Sequence, residues 1–287
     1  MQIIHSYLHT MKKILYLLFL IPAFGKAQQD TSVALKSTET KKTHLRDRAT
    51  GKNIFKINLS SLTLNNYSVG YERQIAKNVS FSLGFRYMPK GIIPYSSNLQ
   101  DAAGNNPDIN FNLLQMGNTA ITPEFRFYAH KNMRGFYMAP YGRYTSFDVT
   151  IPVKYSTTQN GQTIKEDALF SGKITSYNGG LMLGTQHNLG KNIIIDIWII
   201  GFHGGSSKGD LLATFSPALS NAPAPPGYQN PVQSLQSAID GIKADPFTIT
   251  GKVILDPGGK TASSATLNSD GPWYGIRGLG INLGIRF

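Results

Sequence analysis

From Leu279 to Phe287 every second residue is apolar: Leu279, Ile281, Leu283, Ile285 and Phe287 alternate with Gly280, Asn282, Gly284 and Arg286. A period of two describes a strand with one greasy face and one small or polar face. The same alternation recurs seven times upstream. A segment at 52–64 sets Phe55, Ile57 and Leu59 against Lys56 and Asn58, and one at 66–75 sets Tyr67, Val69 and Tyr71 against Ser68, Gly70, Glu72 and Gln74. At 79–88, Val79, Phe81, Leu83, Phe85 and Tyr87 oppose Ser80, Ser82, Gly84 and Arg86. At 119–129, Ile121, Phe125 and Phe127 oppose Thr122, Glu124 and Arg126; at 135–147, Phe136, Met138 and Tyr144 oppose Tyr137, Tyr141 and Arg143. At 173–187, Tyr177, Leu181 and Leu183 face away from Asn178, Gly180, Gly184 and Gln186, and at 192–202 four isoleucines from Ile193 to Ile199 face away from Asp196 and Trp198.

The connections alternate in length after the first. Those around Ala76-Lys77-Asn78, Lys131-Asn132 and Gly190-Lys191-Asn192 are short, whereas 89–118, 148–172 and 203–272 are long. An even number of strands of about ten residues, with short turns at one end and long loops at the other, is the pattern of a transmembrane β-barrel. The expected fold is therefore all-β: an eight-stranded antiparallel transmembrane barrel over 52–287 with long extracellular loops. Closure removes the unpaired edges that lipid cannot tolerate. Aromatics near strand ends (Tyr67, Tyr71, Tyr87, Tyr144, Phe202, Trp273, Tyr274, Phe287) suit interfacial girdles. A water-soluble, lipocalin-like barrel would turn the small and charged face outward, where so many glycines would be an odd choice.

The one continuous apolar run, Ile14 to Phe24, is too short to cross a bilayer as a helix. It follows Lys12-Lys13 and precedes Gly25-Lys26-Ala27, the layout of a secretory signal peptide over 1–27, with Met11 as an alternative start. Residues 28–51 are polar and of mixed charge, and are expected as a flexible periplasmic segment. There is no Cys, so neither disulfides nor a lipid anchor on Cys are available. Loss of Lys12, Lys13 and Lys26 with the signal lowers the net charge by three, from +12 to +9. In an exported protein the nearer anionic partner is lipopolysaccharide rather than nucleic acid, and a merely basic surface is the simpler reading.

Lys56-Ile-Asn-Leu-Ser-Ser-Leu62, Asn66-Tyr-Ser-Val-Gly-Tyr-Glu-Arg73 and Asn78-Val-Ser-Phe-Ser-Leu-Gly-Phe-Arg-Tyr87, with the terminal strand, resemble uncharacterised outer-membrane β-barrel families of unknown function. These belong to the OmpA/porin-like superfamily common in Bacteroidetes-type bacteria. The likeness covers roughly 52–130, 173–202 and 274–287 and fades in the loops. It implies location in the outer membrane and the fold, and no activity. It also implies that Phe287 is part of the signal read by the barrel assembly machinery.

With the apolar face in lipid, the lumen receives Lys56, Arg86, Arg126, Arg143 and Arg286 against Glu72, Glu124 and Asp196. Eight strands leave just enough room for side chains to fill the interior. These charges are expected to pair across it rather than line a pore.

Catalytic chemistry finds little support. His203-Gly-Gly-Ser-Ser-Lys-Gly-Asp210 holds a His, two Ser and an acid where strand seven leaves the membrane, but adjacency in sequence is not a triad. His130 and His187 lie near short turns without a Cys or acidic partner, which makes a poor metal site. No phosphate-binding loop and no metal-spaced cluster occur, so no catalytic, cofactor or metal residues are assigned. The longest loop carries Asn230-Pro231 and then Val232, Leu235, Ile239 and Ile242 at helical spacing, which predicts a short amphipathic helix over 231–242, and the loop could cap the barrel mouth or extend a strand pair above the membrane. Phe247 to Leu255 reads as a strand ending at Asp256-Pro257-Gly258-Gly259. The expected function is non-enzymatic: a structural or surface-binding barrel acting through its long loops. The alternatives are a small-solute or anion conduit through a gated lumen, or a lipid hydrolase at the rim. The expected partners are outer-membrane lipid, lipopolysaccharide, the assembly machinery and an extracellular ligand of unknown kind.

Overall fold

The computed structural model describes residues 51–92, 113–159, 162–224, 226, 230–242 and 246–287. The signal segment, the polar lead before residue 51 and most of the connection at 89–118 lie outside the described residues.

Among the described residues, ten strands and two short helices follow one another. They are β1 (Asn53–Asn58), α1 (Leu59–Leu62), β2 (Tyr67–Ala76), β3 (Val79–Ile92), β4 (Gln115–His130), β5 (Arg134–Gln159), β6 (Gln162–Asn188) and β7 (Ile193–Ser220). Then come α2 (Pro231–Asp240), β8 (Thr248–Leu255), β9 (Thr261–Arg277) and β10 (Gly280–Arg286). All pairings are antiparallel. β1 to β7 pair in sequence order, and β10 pairs with both β1 and β7, so eight strands close into a ring. β9 continues the wall of β10 upward along β7, with a break at Gly278-Leu279, and carries β8 on its far side.

Pleating decides the two faces. Outward-facing Phe55, Phe85, Phe125, Leu183, Ile199 and Leu283 are exposed, whereas inward-facing Lys56, Glu72, Glu124, Arg126, Asp196 and Asn282 are buried, Glu72 and Asp196 completely. Greasy outside and charged inside reverses the order of a water-soluble barrel, and suits a sheet whose outer face meets hydrocarbon. The chain is an eight-stranded antiparallel transmembrane β-barrel.

Three strands do not stop at the membrane. β5, β6 and β7 run for 26, 27 and 28 residues, against about 9–11 for a tilted span. The segments 148–172 and 203–272, expected as loops, are therefore largely strand: 148–159 pairs with 162–173, and 203–214 pairs with 264–275. Above Tyr144, Tyr177 and Tyr274 the faces exchange character. The outer face turns polar, with Lys173, Lys208, Asp210 and Asp270 exposed. The inner face turns apolar, with Val149, Val153 and Tyr155 of β5, Ala168 and Phe170 of β6, Leu211 and Ala213 of β7, and Ala265 and Leu267 of β9 in one core.

This upper part is a second body, a curved five-stranded sheet in the order β5-β6-β7-β9-β8. It is open between two edges. β5 loses its partner β4 above Thr150, which pairs with Gln115, and β8 ends the sheet. α2 fills the gap. Asn230 caps it by accepting from Gln233 N–H, and Pro231 sits in its first turn. Its apolar side seats Leu235 and Ile239 in the core. Its polar side chains answer the two strand edges. Ser156 N–H of β5 donates to Ser234 Oγ at 2.7 Å, Val253 N–H of β8 donates to Gln236 Oε1 at 2.9 Å, and Gln236 Nε2 donates to Gly251 O at 3.2 Å. Backbone groups that would otherwise solicit another chain are satisfied by one helix.

Two smaller expectations are corrected. The first strand ends at Asn58 rather than 64, because the Asn58 side chain accepts from Ser61 N–H and starts the helical turn α1. Trp273 faces inward rather than lipid, packed 5.2 Å from Phe147 and 6.1 Å from Phe247, centroid to centroid.

Leu235 is fully buried beneath α2. Leu235→Ala is expected to weaken the upper body by about 2–5 kcal/mol. Amide hydrogen exchange should accelerate in α2 and β8 while β1 to β4 keep their protection. Uniform acceleration throughout the barrel would show that the two bodies are not separable.

Candidate functional site

The lumen is the most highly organised polar site among the described residues. Period-two strands deliver Lys56 from β1, Glu72 from β2, Glu124 and Arg126 from β4, Asp196 from β7 and Arg277 from β9 to one level of the interior. Lys56 Nζ reaches Glu72 Oε2 at 2.5 Å, Gln186 Oε1 at 2.6 Å and Asp196 Oδ2 at 2.7 Å, which uses all three of its N–H groups. Arg126 donates from Nη1 to Asp196 Oδ2 at 2.8 Å, and from Nε and Nη2 to Glu124 Oε2 at 2.9 and 2.6 Å. Its Nη1 also lies 3.5 Å from Glu72 Oε2. Arg277 Nη1 donates to Glu124 Oε1 at 2.6 Å.

Hydroxyls complete the set. Tyr128 donates to Glu72 Oε1 at 2.6 Å, Ser80 donates to the same oxygen, and Tyr137 donates to Asp196 Oδ1 at 2.7 Å. Three cations thus meet three carboxylates, and every carboxylate oxygen accepts. Cross-strand glycine makes room for the tyrosine: a Cβ on Gly184 would sit 2.4 Å from the Tyr137 ring. The arrangement leaves no carboxylate free to act as a base and holds the walls together across the interior.

Of the residues expected to share this network, Lys56, Glu72, Glu124, Arg126 and Asp196 meet in it. Arg286 does not. It is buried at the short-turn end and donates to Asn132 O at 3.0 Å and Asn188 Oδ1 at 3.2 Å, tying β10 to the β4–β5 turn. Arg86 and Arg143 line a cavity just above and enter none of these ion pairs. Arg277 was not anticipated. It stacks 3.8 Å above the Trp198 ring and 5.5 Å from that of Tyr141, and its place on an inward parity is visible only once β9 is known to continue the barrel wall.

The motif weighed as a hydrolase does not assemble. On β7, His203 faces inward, with Nδ1 3.1 Å from Tyr141 Oη, while Ser206 lies exposed on the opposite face. Ser207 shares the inward face but lies four residues on, roughly 13 Å along the strand, and its hydroxyl donates to Gly271 O. His130 and His187 are both exposed and sit on β4 and β6 with β5 between them, roughly 10 Å apart. His187 Nε2 is engaged by Thr185 Oγ1 at 2.8 Å.

Breaking one arm of the network should be costly. Asp196→Asn leaves Lys56 and Arg126 short of a buried counter-charge and is expected to lower the unfolding free energy by about 3–5 kcal/mol, read from urea unfolding in lipid vesicles. The charge-balanced pair Lys56→Met with Asp196→Leu should lose about 1–3 kcal/mol less than the two single changes summed. Strict additivity would mean that the residues do not interact.

Among solved structures, the chain is similar to CarO2 and CarO of Acinetobacter baumannii, at 12% and 14% identity with TM-scores of 0.32 and 0.30. These likenesses cover 78% and 79% of this chain and 98% and 99% of those chains. The β-domain of the Bordetella autotransporter BrkA is similar at 10% identity and a TM-score of 0.23, covering 82% of this chain and 96% of that one. None of the curated proteins compared with the chain matches it. One family matches residues 33–207, from the polar lead through seven of the eight strands of the ring, and by that match the chain belongs to the family of proteins of unknown function DUF3575.

Proposed function

We propose that the chain is an integral outer-membrane protein, exported by the signal segment 1–27, that works without enzymatic chemistry as a surface-binding or structural anchor. On this reading the membrane part is a closed stem, and the body of β5, β6, β7, β9, β8 and α2 is what meets a ligand or neighbouring surface outside the cell. Lipopolysaccharide is a chemically suitable neighbour for a basic chain. Assembly is taken to proceed through recognition of the ring-closing strand β10 and its neighbouring Phe287.

One observation carries the reading against a conduit. The interior is occupied twice: first by the ion-pair network, then by the apolar core beneath α2. A permeating ion would have to part six mutually satisfied charges and then cross the apolar core beneath α2, both of which oppose passage. Strands that continue far beyond a span, at a cost in chain length, favour presentation of the upper body as the purpose of the barrel.

Two measurements test this. Purified protein in planar bilayers should give no stepwise conductance. A short epitope inserted between Gly258 and Gly259, in the β8–β9 turn, should be labelled on intact cells, and one at Lys131-Asn132 only after the outer membrane is permeabilised. The reverse labelling, or reproducible single-channel steps, would overturn the proposal.

A further inference from the structure

Above the balanced network the lumen holds a surplus of positive charge. A cavity of about 30 Å³ is lined by Lys56, Arg86, Arg126, Arg143 and Arg277, with Glu124 as the one carboxylate in its wall. Glu72 and Asp196, immediately below, are engaged by Lys56 and Arg126. Five cations against three carboxylates leaves two cations in excess among the described residues. Arg86, Arg143 and Arg277 are close enough to repel one another. Like charges gathered in a narrow, half-buried interior are unfavourable unless an anion joins them.

A second, independent observation points the same way. Two of the residues that line the cavity carry a buried N–H donor without an acceptor: the indole Nε1 of Trp198 and the Nε of Arg277. Trp198 is 8% exposed, and the Arg277 side chain is 9% exposed. Buried donors of this kind are rarely left unanswered. The space suits something about the size of one or two water molecules, which favours a small ion over organic acids and phosphorylated solutes.

We infer that the upper lumen binds a small monovalent anion of the halide class, held between Arg86, Arg143 and Arg277 beside the Trp198 indole. The anion sits in the stem and is not transported. It supplies the counter-charge that the chain omits at this level, and so completes the electrostatics of the closed barrel. The site is independent of what the upper body binds and of which end faces the cell exterior.

The test compares thermal unfolding of the folded protein in detergent micelles in sodium chloride and in sodium gluconate at equal ionic strength, together with bromide anomalous diffraction from crystals. Chloride should raise the midpoint along a saturating curve, as for any ligand that binds only the folded state. Gluconate, too large for the cavity, should act only by screening. Bromide should give an anomalous peak bordered by Arg86, Arg143 and Trp198. Arg143→Gln should weaken the apparent chloride affinity roughly tenfold or more. Trp198→Phe, which keeps the ring and removes the N–H, should weaken it roughly fivefold and guards against a misfolded arginine variant. Identical midpoints in chloride and gluconate at every concentration would assign the compensating charge to the chain itself and overturn the inference. So would bromide found only at the protein surface.

Discussion

A strand that rises out of a bilayer into water has to exchange its faces. Below the interface the outer side meets hydrocarbon and must be apolar; above it the same side meets water. The inner side undergoes the opposite change. In this chain the exchange occurs near Tyr144, Tyr177 and Tyr274. On β5 the inward residues pass from Tyr137, Tyr141 and Arg143 to Phe147, Val149 and Val153 without any break in pairing or pleat. One continuous sheet therefore serves two solvents. The need for two different cores, one polar and one greasy, follows from that.

The lower core depends on stoichiometry. An eight-stranded ring has no space to hydrate buried charges freely, so the charges at its most enclosed level have to be answered by one another. Lys56, Arg126 and Arg277 against Glu72, Glu124 and Asp196 achieve this, with Tyr128, Tyr137 and Ser80 occupying the remaining oxygens. The upper core depends on closure. Among the described residues the upper sheet has five strands, and α2 takes the place of the missing wall by burying Leu235 and Ile239 while Ser234 and Gln236 bond to the exposed edges of β5 and β8. Both devices work against an open channel, since the same interactions that stabilise the walls occupy the passage.

The strands of the ring, their inward and outward residues and the α2 helix were legible because each has a clean period. A strand pair above the membrane was one of two expectations for the longest loop; what escaped was the direct continuation of β5, β6 and β7 into it. The alternation does not end at Phe147: Val149, Ile151, Val153 and Tyr155 keep it, but with the apolar residues on the parity that had been polar. Read for one environment, such a stretch looks like the end of a strand. On β7 a register shift near Leu183-Gly184 of β6 changes the parity as well, so that Asp196 and His203 face the same way despite their odd separation. Gly204, Gly205 and Gly209 then suggested a loop. Arg277 was missed for the same reason, lying just before Gly278-Leu279, where β9 hands over to β10. Arg286 was correctly read as inward, yet its partners are the Asn132 carbonyl and the Asn188 side chain, and no period in the sequence identifies those.

The exchange of faces is most directly tested by spin labels on single cysteines placed one at a time along β7, from Ile193 to Thr214, in a chain that has no native Cys. Collision with lipid-soluble oxygen and with a water-soluble nickel complex is read at each site. With the faces exchanged, oxygen reaches Ile195, Ile197, Ile199 and Phe202, and nickel then reaches Ser206, Lys208, Asp210 and Leu212. Leu211 and Ala213 should be shielded from both reagents. Oxygen access that continues on the outer face through Leu212, or nickel access at Leu211 and Ala213, would contradict the exchange.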